Sequence, residues 1–124
     1  MKIINFDYMY LWDLHCALGS LQTSILLTRT SASERVKEVF KASAKQEIEE
    51  YREKHSNSPQ WAQINIKTVK ITIKDYHKFS KNVLKCGIPD FLHDEYNEVA
   101  TDINDAIRSI NKDNKTHFRK IKLV

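Results

Sequence analysis

Apolar residues near the start of the chain recur at intervals of three and four, the spacing that aligns one face of an α-helix. This stripe predicts a helix over residues 8–28, and Asp7 is placed to cap it by accepting a backbone N–H. Flanking residues such as Trp12 and Leu26 widen the apolar face. We therefore expect the helix to be surrounded on most sides and to lie at the centre of the core. The stripe consists of Leu11, Leu14, Leu18, Leu21 and Ile25.

A second apolar stripe predicts a helix over residues 90–111, with Asp90 as its N-cap. Acidic residues occupy the opposite side of this helix, so it is clearly amphipathic. Neither stripe can be left in water, and we expect the two to be buried against each other. The second stripe consists of Leu92, Tyr96, Val99, Ile103, Ala106, Ile107 and Ile110.

Another amphipathic helix is predicted over residues 32–55. Ser31 and Glu34 have the spacing of a capping box, in which each side chain satisfies a backbone N–H at the start of a helix. Between residues 31 and 59, six acidic and six basic residues cancel in charge. The outer face is therefore expected to be solvated, and the turn-forming sequence SNSP ends the helix.

The middle of the chain carries two conflicting patterns. β-branched residues alternate with polar ones, which predicts a strand over residues 63–73, with a bulge that switches its face. A helix over residues 75–86 would follow and end at Gly87. The alternating residues are Val69, Ile71 and Ile73.

The conflicting pattern is a series of lysines spaced three and four residues apart. On one long helix they would fall within an arc of about 80°. We predict the strand followed by the helix, and keep the single long helix as the alternative. These lysines, called the lysine strip below, are Lys67, Lys70, Lys74, Lys78, Lys81 and Lys85.

Short β-prone segments at residues 2–6 and 116–124 complete the order β, α, α, β, α, α, β. The fold class expected from this order is α+β: a helix-dominated small domain of about four helices with a small two- to three-stranded sheet. An all-α bundle is the alternative. A length of 124 residues predicts a single domain spanning residues 1–124.

The amino-acid composition argues against several classes of protein. Hydrophobic residues at 41% predict an ordered core. With two glycines the chain has no phosphate-cradling loop, which argues against the familiar nucleotide-binding enzymes. Cys16 and Cys86 have no CxxC partner, so neither a disulfide framework nor a cysteine-based zinc site is indicated. We expect no metal and no cofactor.

The sequence also gives expectations about where the protein is located and what kind of organism its gene comes from. The start of the chain lacks the pattern of an export signal, and its least polar stretch is too polar for a membrane span. We therefore expect a cytoplasmic protein without a membrane partner. Isoleucine, lysine and asparagine, which have A/T-rich codons, are abundant and suggest a bacterial or phage gene.

Charge is unevenly distributed, and this gives the first functional hypothesis. Residues 87–112 hold six acids against two basic residues. We hypothesise a non-enzymatic inhibitor, such as an immunity protein, antitoxin or phage inhibitor, that occludes another protein, for example a basic nuclease. Its partner-binding residues would be the acidic strip, defined as Asp94, Glu98, Asp102 and Asp105.

The alternative hypothesis uses the opposite charge. Residues 60–86 hold six lysines against one aspartate, and this excess could bind nucleic-acid phosphates through the lysine strip. Arg108 and Arg119 are the only arginines beyond residue 60. This scarcity argues against sequence-specific DNA binding, because arginine is the side chain that usually reads guanine.

An enzyme is the third class. His77, beside lysines, could serve as the acid/base group of a small metal-independent ribonuclease. His93 with Asp94, Glu95 and Glu98 could begin a metal or acid/base site, but an acidic first turn is also what a helix dipole favours. We expect no catalytic site, and the sequence leaves open whether the protein is a monomer or a homodimer.

Overall fold

Helices make up most of the chain in the computed structural model, which describes residues 2–28 and 33–124. This described part contains four α-helices, one 3₁₀ turn and a two-stranded sheet, which confirms the helix-dominated α+β class and excludes the all-α bundle. The elements are β1 (Ile3–Asp7), α1 (Tyr8–Leu27), α2 (Glu34–Asn57), β2 (Trp61–Asn65), α3 (Ile66–Cys86), the 3₁₀ turn (Asp90–Leu92) and α4 (His93–Asn114).

The sheet joins the start of the chain to its middle. β1 and β2 are antiparallel, with Ile4 opposite Ile64 and Asp7 opposite Trp61. Ile4 and Ile64 are both buried and join the main core. Because a lone pair of strands is marginal in water, this apolar face against the helices is what stabilises the sheet.

α1 is the central helix, as its apolar stripe predicts. It packs against α2, α3 and α4, and its stripe from Leu11 to Ile25 is buried. The α4 stripe is buried too, so the predicted burial of both stripes is confirmed. However, Trp12, Leu26 and Leu27 are exposed, and the expectation that α1 is surrounded on most sides was too broad. The flanking residues leave an apolar edge in solvent.

The predicted strand over residues 63–73 was correct for residues 63–65 and wrong for residues 66–73. The strand ends at Asn65, whose side chain caps α3 by accepting from the Lys67 N–H at 2.9 Å, and one helix then continues to Cys86. In a strand, Ile71 would share a face with Val69, but on α3 it is 61% exposed. The three-and-four spacing of the buried and basic residues outweighed the β propensity of the run. The buried residues of α3 are Val69, Ile73, Tyr76, Ser80 and Val83.

The ends of the helices differ from the predicted ones by a few residues. α2 begins at Glu34, and its N-cap is Ser33, which accepts from the Val36 N–H at 3.3 Å. Ser31, the predicted cap, lies outside the described residues. Asp90 begins a 3₁₀ turn and its side chain makes no capping hydrogen bond, so the predicted N-cap was wrong. Gly87 ends α3 as predicted, with a φ of 84° that favours glycine.

The predicted C-terminal strand was also wrong. Residues 116–124, called the C-terminal segment below, have no strand assignment. The segment runs antiparallel to α4, and side-chain amides of α4 hydrogen bond its backbone. Its backbone groups are therefore satisfied without a third strand in the sheet.

The position of Leu18 in the core gives a first prediction. Leu18 is fully buried on α1, and truncating such a leucine costs about 2–5 kcal/mol through lost transfer energy and the cavity left behind. Leu18→Ala is expected to lower the melting temperature by many degrees in thermal unfolding followed by circular dichroism. Lys78→Ala, on the exposed face of α3, is the control and should leave the melting temperature unchanged. A thermally silent Leu18→Ala would show that α1 is not the core.

Candidate functional site

The lysine strip lies on one face of α3, and all six of its side chains are exposed. From Lys67 to Lys85 the helix rises about 27 Å, at 1.5 Å per residue. The opposite face of the same helix is buried against α1, where Tyr76 donates a hydrogen bond to the Leu11 carbonyl at 2.6 Å. The strip is therefore a straight basic surface on an anchored helix.

None of the six lysines forms an ion pair within the described part of the chain. Three lysines of α2 do form ion pairs: Lys37 with Glu34, Lys41 with Glu95 and Lys54 with Asp13. The positive charge of the lysine strip is therefore left uncompensated by the fold, whereas much of the charge on α2 is balanced locally.

The acidic strip on α4 is divided among different environments. Arg52 of α2 donates to the Asp102 carboxylate at 2.8 and 3.2 Å and to Glu98 at 3.0 Å. Asp105 pairs with Arg108 on its own helix, while Asp94 is exposed and forms no ion pair among the described residues. The structure thus brings the four acids onto one helix, but three of them already have cationic partners.

Asp102 is the most constrained member of this strip. The buried Tyr51 donates its hydroxyl to the Asp102 carboxylate at 2.7 Å, and Arg52 binds the same group. Burial raises the pKa of the Tyr51 hydroxyl, and the bond to Asp102 raises it further. The bond to Asp102 also raises the pKa of the Arg52 guanidinium. The Tyr51 hydroxyl therefore stays protonated and the Arg52 guanidinium stays charged, and the cluster joins α2 to α4.

An open groove adjoins the exposed end of the acidic strip. It has a volume of 390 Å³ and is lined by Arg52, Asp94, Asn97, Glu98 and Thr101. Both signs of charge line it, so it is suited to polar contacts rather than to an apolar ligand.

The histidines named from the sequence are held by backbone carbonyls. The Nε2 atom of His77 lies 2.8 Å from the Arg119 carbonyl oxygen in the C-terminal segment. The Nε2 atom of His93 lies 2.8 Å from the Ile88 carbonyl oxygen, and 3.7 Å from Asp90. Each nitrogen at these contacts has a structural partner, which leaves it poorly placed for acid/base or metal chemistry.

A histidine–carboxylate pair that the sequence analysis missed lies beside a small cavity. The Nδ1 atom of His55 is 2.7 Å from the Oδ2 atom of Asp7, and the imidazole stacks on Tyr10 with ring centroids 3.9 Å apart. The cavity of 250 Å³ is also lined by Trp61 and Ser109. Asp7 was expected only as a cap, a role it does fill through the Tyr10 N–H. Asp7 and His55 are 48 positions apart in the chain, so no local pattern indicated their pairing.

Glu95 is a buried carboxylate without a hydrogen bond. Its side chain is fully buried in the first turn of α4, and neither oxygen has a hydrogen-bond partner within the described residues. The nearest cation is the Lys41 ammonium, 3.8 Å from Oε1. A buried polar group in this condition destabilises a fold by about 1–3 kcal/mol.

The cysteines lack the features of a nucleophile. Cys16 and Cys86 are both free. Burial raises the pKa of the Cys16 thiol, and the carboxylates of Asp13 and Glu47 raise it further. Since the thiolate is the reactive form, the thiol of Cys16 is expected to be unreactive at neutral pH.

Over residues 2–28 and 33–124, no cluster of three or more histidine, cysteine or acidic side chains has an arrangement that could hold a metal ion. No helix in these ranges has the length and apolar content needed to cross a membrane. No protein-family model, curated protein or solved structure matches the chain.

The environment of Glu95 yields a prediction about stability. Glu95→Met keeps much of the side-chain volume but removes the unsatisfied oxygens, and Lys41 is exposed enough to be hydrated without its partner. We expect the substitution to stabilise the fold by about 1 kcal/mol, because the desolvation cost exceeds the favourable helix-dipole interaction that is lost. Chemical unfolding measures the change. Glu49→Met, at an exposed position on α2, is the control; a destabilised Glu95→Met would show that the Lys41–Glu95 pair stabilises the fold.

Proposed function

We propose that this protein binds nucleic acid through phosphate contacts made by the lysine strip. The single observation that carries the proposal is the strip itself: six exposed lysines on one face of one helix, without intramolecular ion pairs among the described residues. The chain has enough acidic residues to balance these six lysines, but several of them form ion pairs with other basic residues instead.

The dimensions of the strip suit a polyanion. Neighbouring lysines are about 4.5–6 Å apart along the helix axis, and the whole strip is about 27 Å long. A duplex rises 3.4 Å per base pair, so the strip matches about eight base pairs. Lysine ammonium groups act as point charges toward phosphates, and a surface with so little arginine supports binding without sequence preference.

The C-terminal segment adds positive charge beside α3. The segment is attached to α3 through the contact between His77 and the Arg119 carbonyl, and Arg119, Lys120 and Lys122 are exposed. A one-signed surface of this kind attracts a polyanion before contact and so increases the association rate.

The salt dependence of binding tests this proposal. If all six lysines contact phosphates of duplex DNA, the logarithm of the affinity should fall against the logarithm of salt concentration with a slope near −5, at about −0.9 per contact. Fluorescence anisotropy with a labelled duplex of about 20 base pairs, between roughly 50 and 200 mM salt, gives this slope. A triple variant with Lys70, Lys74 and Lys78 each changed to Ala should reduce its magnitude by about 2.7.

The control is Lys45→Ala, because Lys45 is an exposed lysine of α2 without an ion pair among the described residues. It should leave both affinity and slope unchanged. A flat slope, an absence of binding at low salt, or binding to anionic lipid vesicles but not to DNA would contradict the proposal.

A second candidate is the neutralising protein that occludes a basic partner such as a nuclease. The specific observation in its favour is that Asp94 and Glu98 border the 390 Å³ groove and are exposed. A convex helix edge beside a polar groove is a surface that a partner's cationic side chains could enter. Under either candidate we propose a cytoplasmic protein, in keeping with its free cysteines.

Affinity capture from the source cells, followed by mass spectrometry, tests the second candidate. The full chain should retain a stoichiometric basic protein, and Asp94→Lys should release it because the substitution places like charge opposite the partner. Glu53→Lys, at an exposed position on α2, should retain it. If no stoichiometric partner is recovered, or if both variants retain it equally, the acidic strip is not a partner-binding surface.

A further inference from the structure

Three asparagines of α4 form a ladder that holds the C-terminal segment by its backbone. Each side chain both donates to and accepts from the main chain of one residue in the segment. Asn104 donates to the Ile121 carbonyl at 3.0 Å and accepts from the Ile121 N–H at 2.8 Å. Asn111 binds Phe118 in the same way at 3.0 and 2.9 Å. Asn97 binds Val124 at 3.0 and 2.8 Å, and these three asparagines are called the asparagine ladder.

The ladder works because two repeats coincide in length. Its asparagines are seven residues apart, and seven residues of an α-helix rise about 10.5 Å. The bound residues are three apart, and three residues of extended chain span about 10 Å. Successive asparagines of the ladder therefore reach every third residue of the segment, and each binds the backbone of its residue in the same geometry. A single helix face can in this way supply hydrogen bonds that a neighbouring strand would otherwise provide.

Recognition of the segment depends little on the identity of its side chains. All six ladder bonds are to main-chain atoms, and so are two further contacts: the Tyr96 hydroxyl donates to the Lys122 carbonyl at 3.0 Å, and His77 meets the Arg119 carbonyl. Ile121 is the one buried residue of the segment, and Phe118 packs on the core. An extended chain with apolar residues three positions apart meets these requirements.

The last two residues of the segment are only lightly held. Leu123 and Val124 are 48% and 45% exposed, so little apolar area holds the end of the chain. Lys115, which connects the segment to α4, has a φ of 54° and is the one non-glycine residue in the described part of the chain with a positive φ. Lys115 is the C-cap of α4, and its left-handed conformation ends the helix and turns the chain back along it. Weakly buried terminal units of this kind open well below the global unfolding free energy.

We propose that the asparagine ladder is a binding site for an extended peptide segment of a partner protein, which displaces the C-terminal segment. The ligand carries apolar residues at two positions three apart, corresponding to Phe118 and Ile121, and is bound through its backbone. The C-terminal segment is the resident occupant that covers the site when no partner is present. The asparagine ladder is on α4 and the lysine strip is on α3, and peptide binding is measured without nucleic acid, so the two proposals can fail independently.

The test uses full-length Ile121→Asp, which places a charge in the buried anchor position and releases the segment while leaving the ladder intact. A fluorescent peptide with the sequence of residues 116–124 should bind this variant at least tenfold more tightly than it binds the wild type, as measured by anisotropy. In the wild type, the tethered segment competes at an effective concentration of the order of millimolar. Adding Asn104→Ala to the released variant should weaken peptide binding at least tenfold, whereas adding Asn82→Ala, on α3, should not.

A second peptide separates backbone recognition from charge. In it, Arg119, Lys120 and Lys122 are each replaced by Ser while both apolar anchors are kept, and its affinity should stay within threefold of the first peptide. Loss of binding would mean that the basic side chains are what the protein recognises, which would overturn the proposal. A wild type that forms concentration-dependent dimers in sedimentation, with the segment exchanged between copies, would also overturn it, since the occupant would then be a second copy of the chain.

Limited trypsin digestion tests whether the asparagine ladder holds the segment, and it does not depend on the folding of Ile121→Asp. In the full-length wild type, the bonds after Arg119 and Lys120 should be protected by the docked segment. Asn104→Ala should be cleaved there at least tenfold faster than Asn82→Ala, with the circular dichroism spectra of both unchanged. Equal cleavage rates would show that the ladder does not hold the segment and would overturn the proposal.

Discussion

The burial of α1 is the constraint on which the other helices depend. Its apolar stripe cannot remain in water, and one neighbouring helix would cover only part of it. α2, α3 and α4 therefore all pack against it. Buried polar contacts then fix how two of these neighbours are oriented: the Tyr76 hydroxyl donates to the Leu11 carbonyl, and Asp7 caps α1 while it contacts His55 of α2.

The distribution of charge follows from this arrangement. Each outer helix must present its apolar side to α1, so its polar residues are confined to the far side. On α3 that side is the lysine strip, and no acidic residue of the described chain pairs with it. On α4 the acidic residues instead meet Arg52, which lies on the neighbouring α2. The basic surface is thus left to attract an external anion, while the acidic one is in part used to hold two helices together.

The asparagine ladder shows that an extended segment needs no sheet. The C-terminal segment was expected to join β1 and β2 because its residues alternate in the way of a strand. Its backbone groups require hydrogen-bond partners in any conformation. Side-chain amides on α4 meet this requirement. They are seven residues apart on the helix, a spacing that pairing with a strand would not require. The arrangement attaches the segment chiefly to α4, whereas a strand would attach it to the sheet.

The amino-acid sequence alone determined the helical stripes, the central place of α1 and the end of α3 at Gly87, because these depend on local periodicity and local backbone preference. It favoured a strand for residues 66–73, which was wrong: the β-branched residues favour a strand there, whereas the lysine spacing favours a helix. Packing decided it, since a helix buries Val69 and Ile73 against α1 and leaves Ile71 in water. The Asp102–Arg52 contact, the Asp7–His55 pair and the asparagine ladder join residues far apart in the chain. Only the tertiary structure could bring these groups together, because no local pattern encodes which distant surfaces meet.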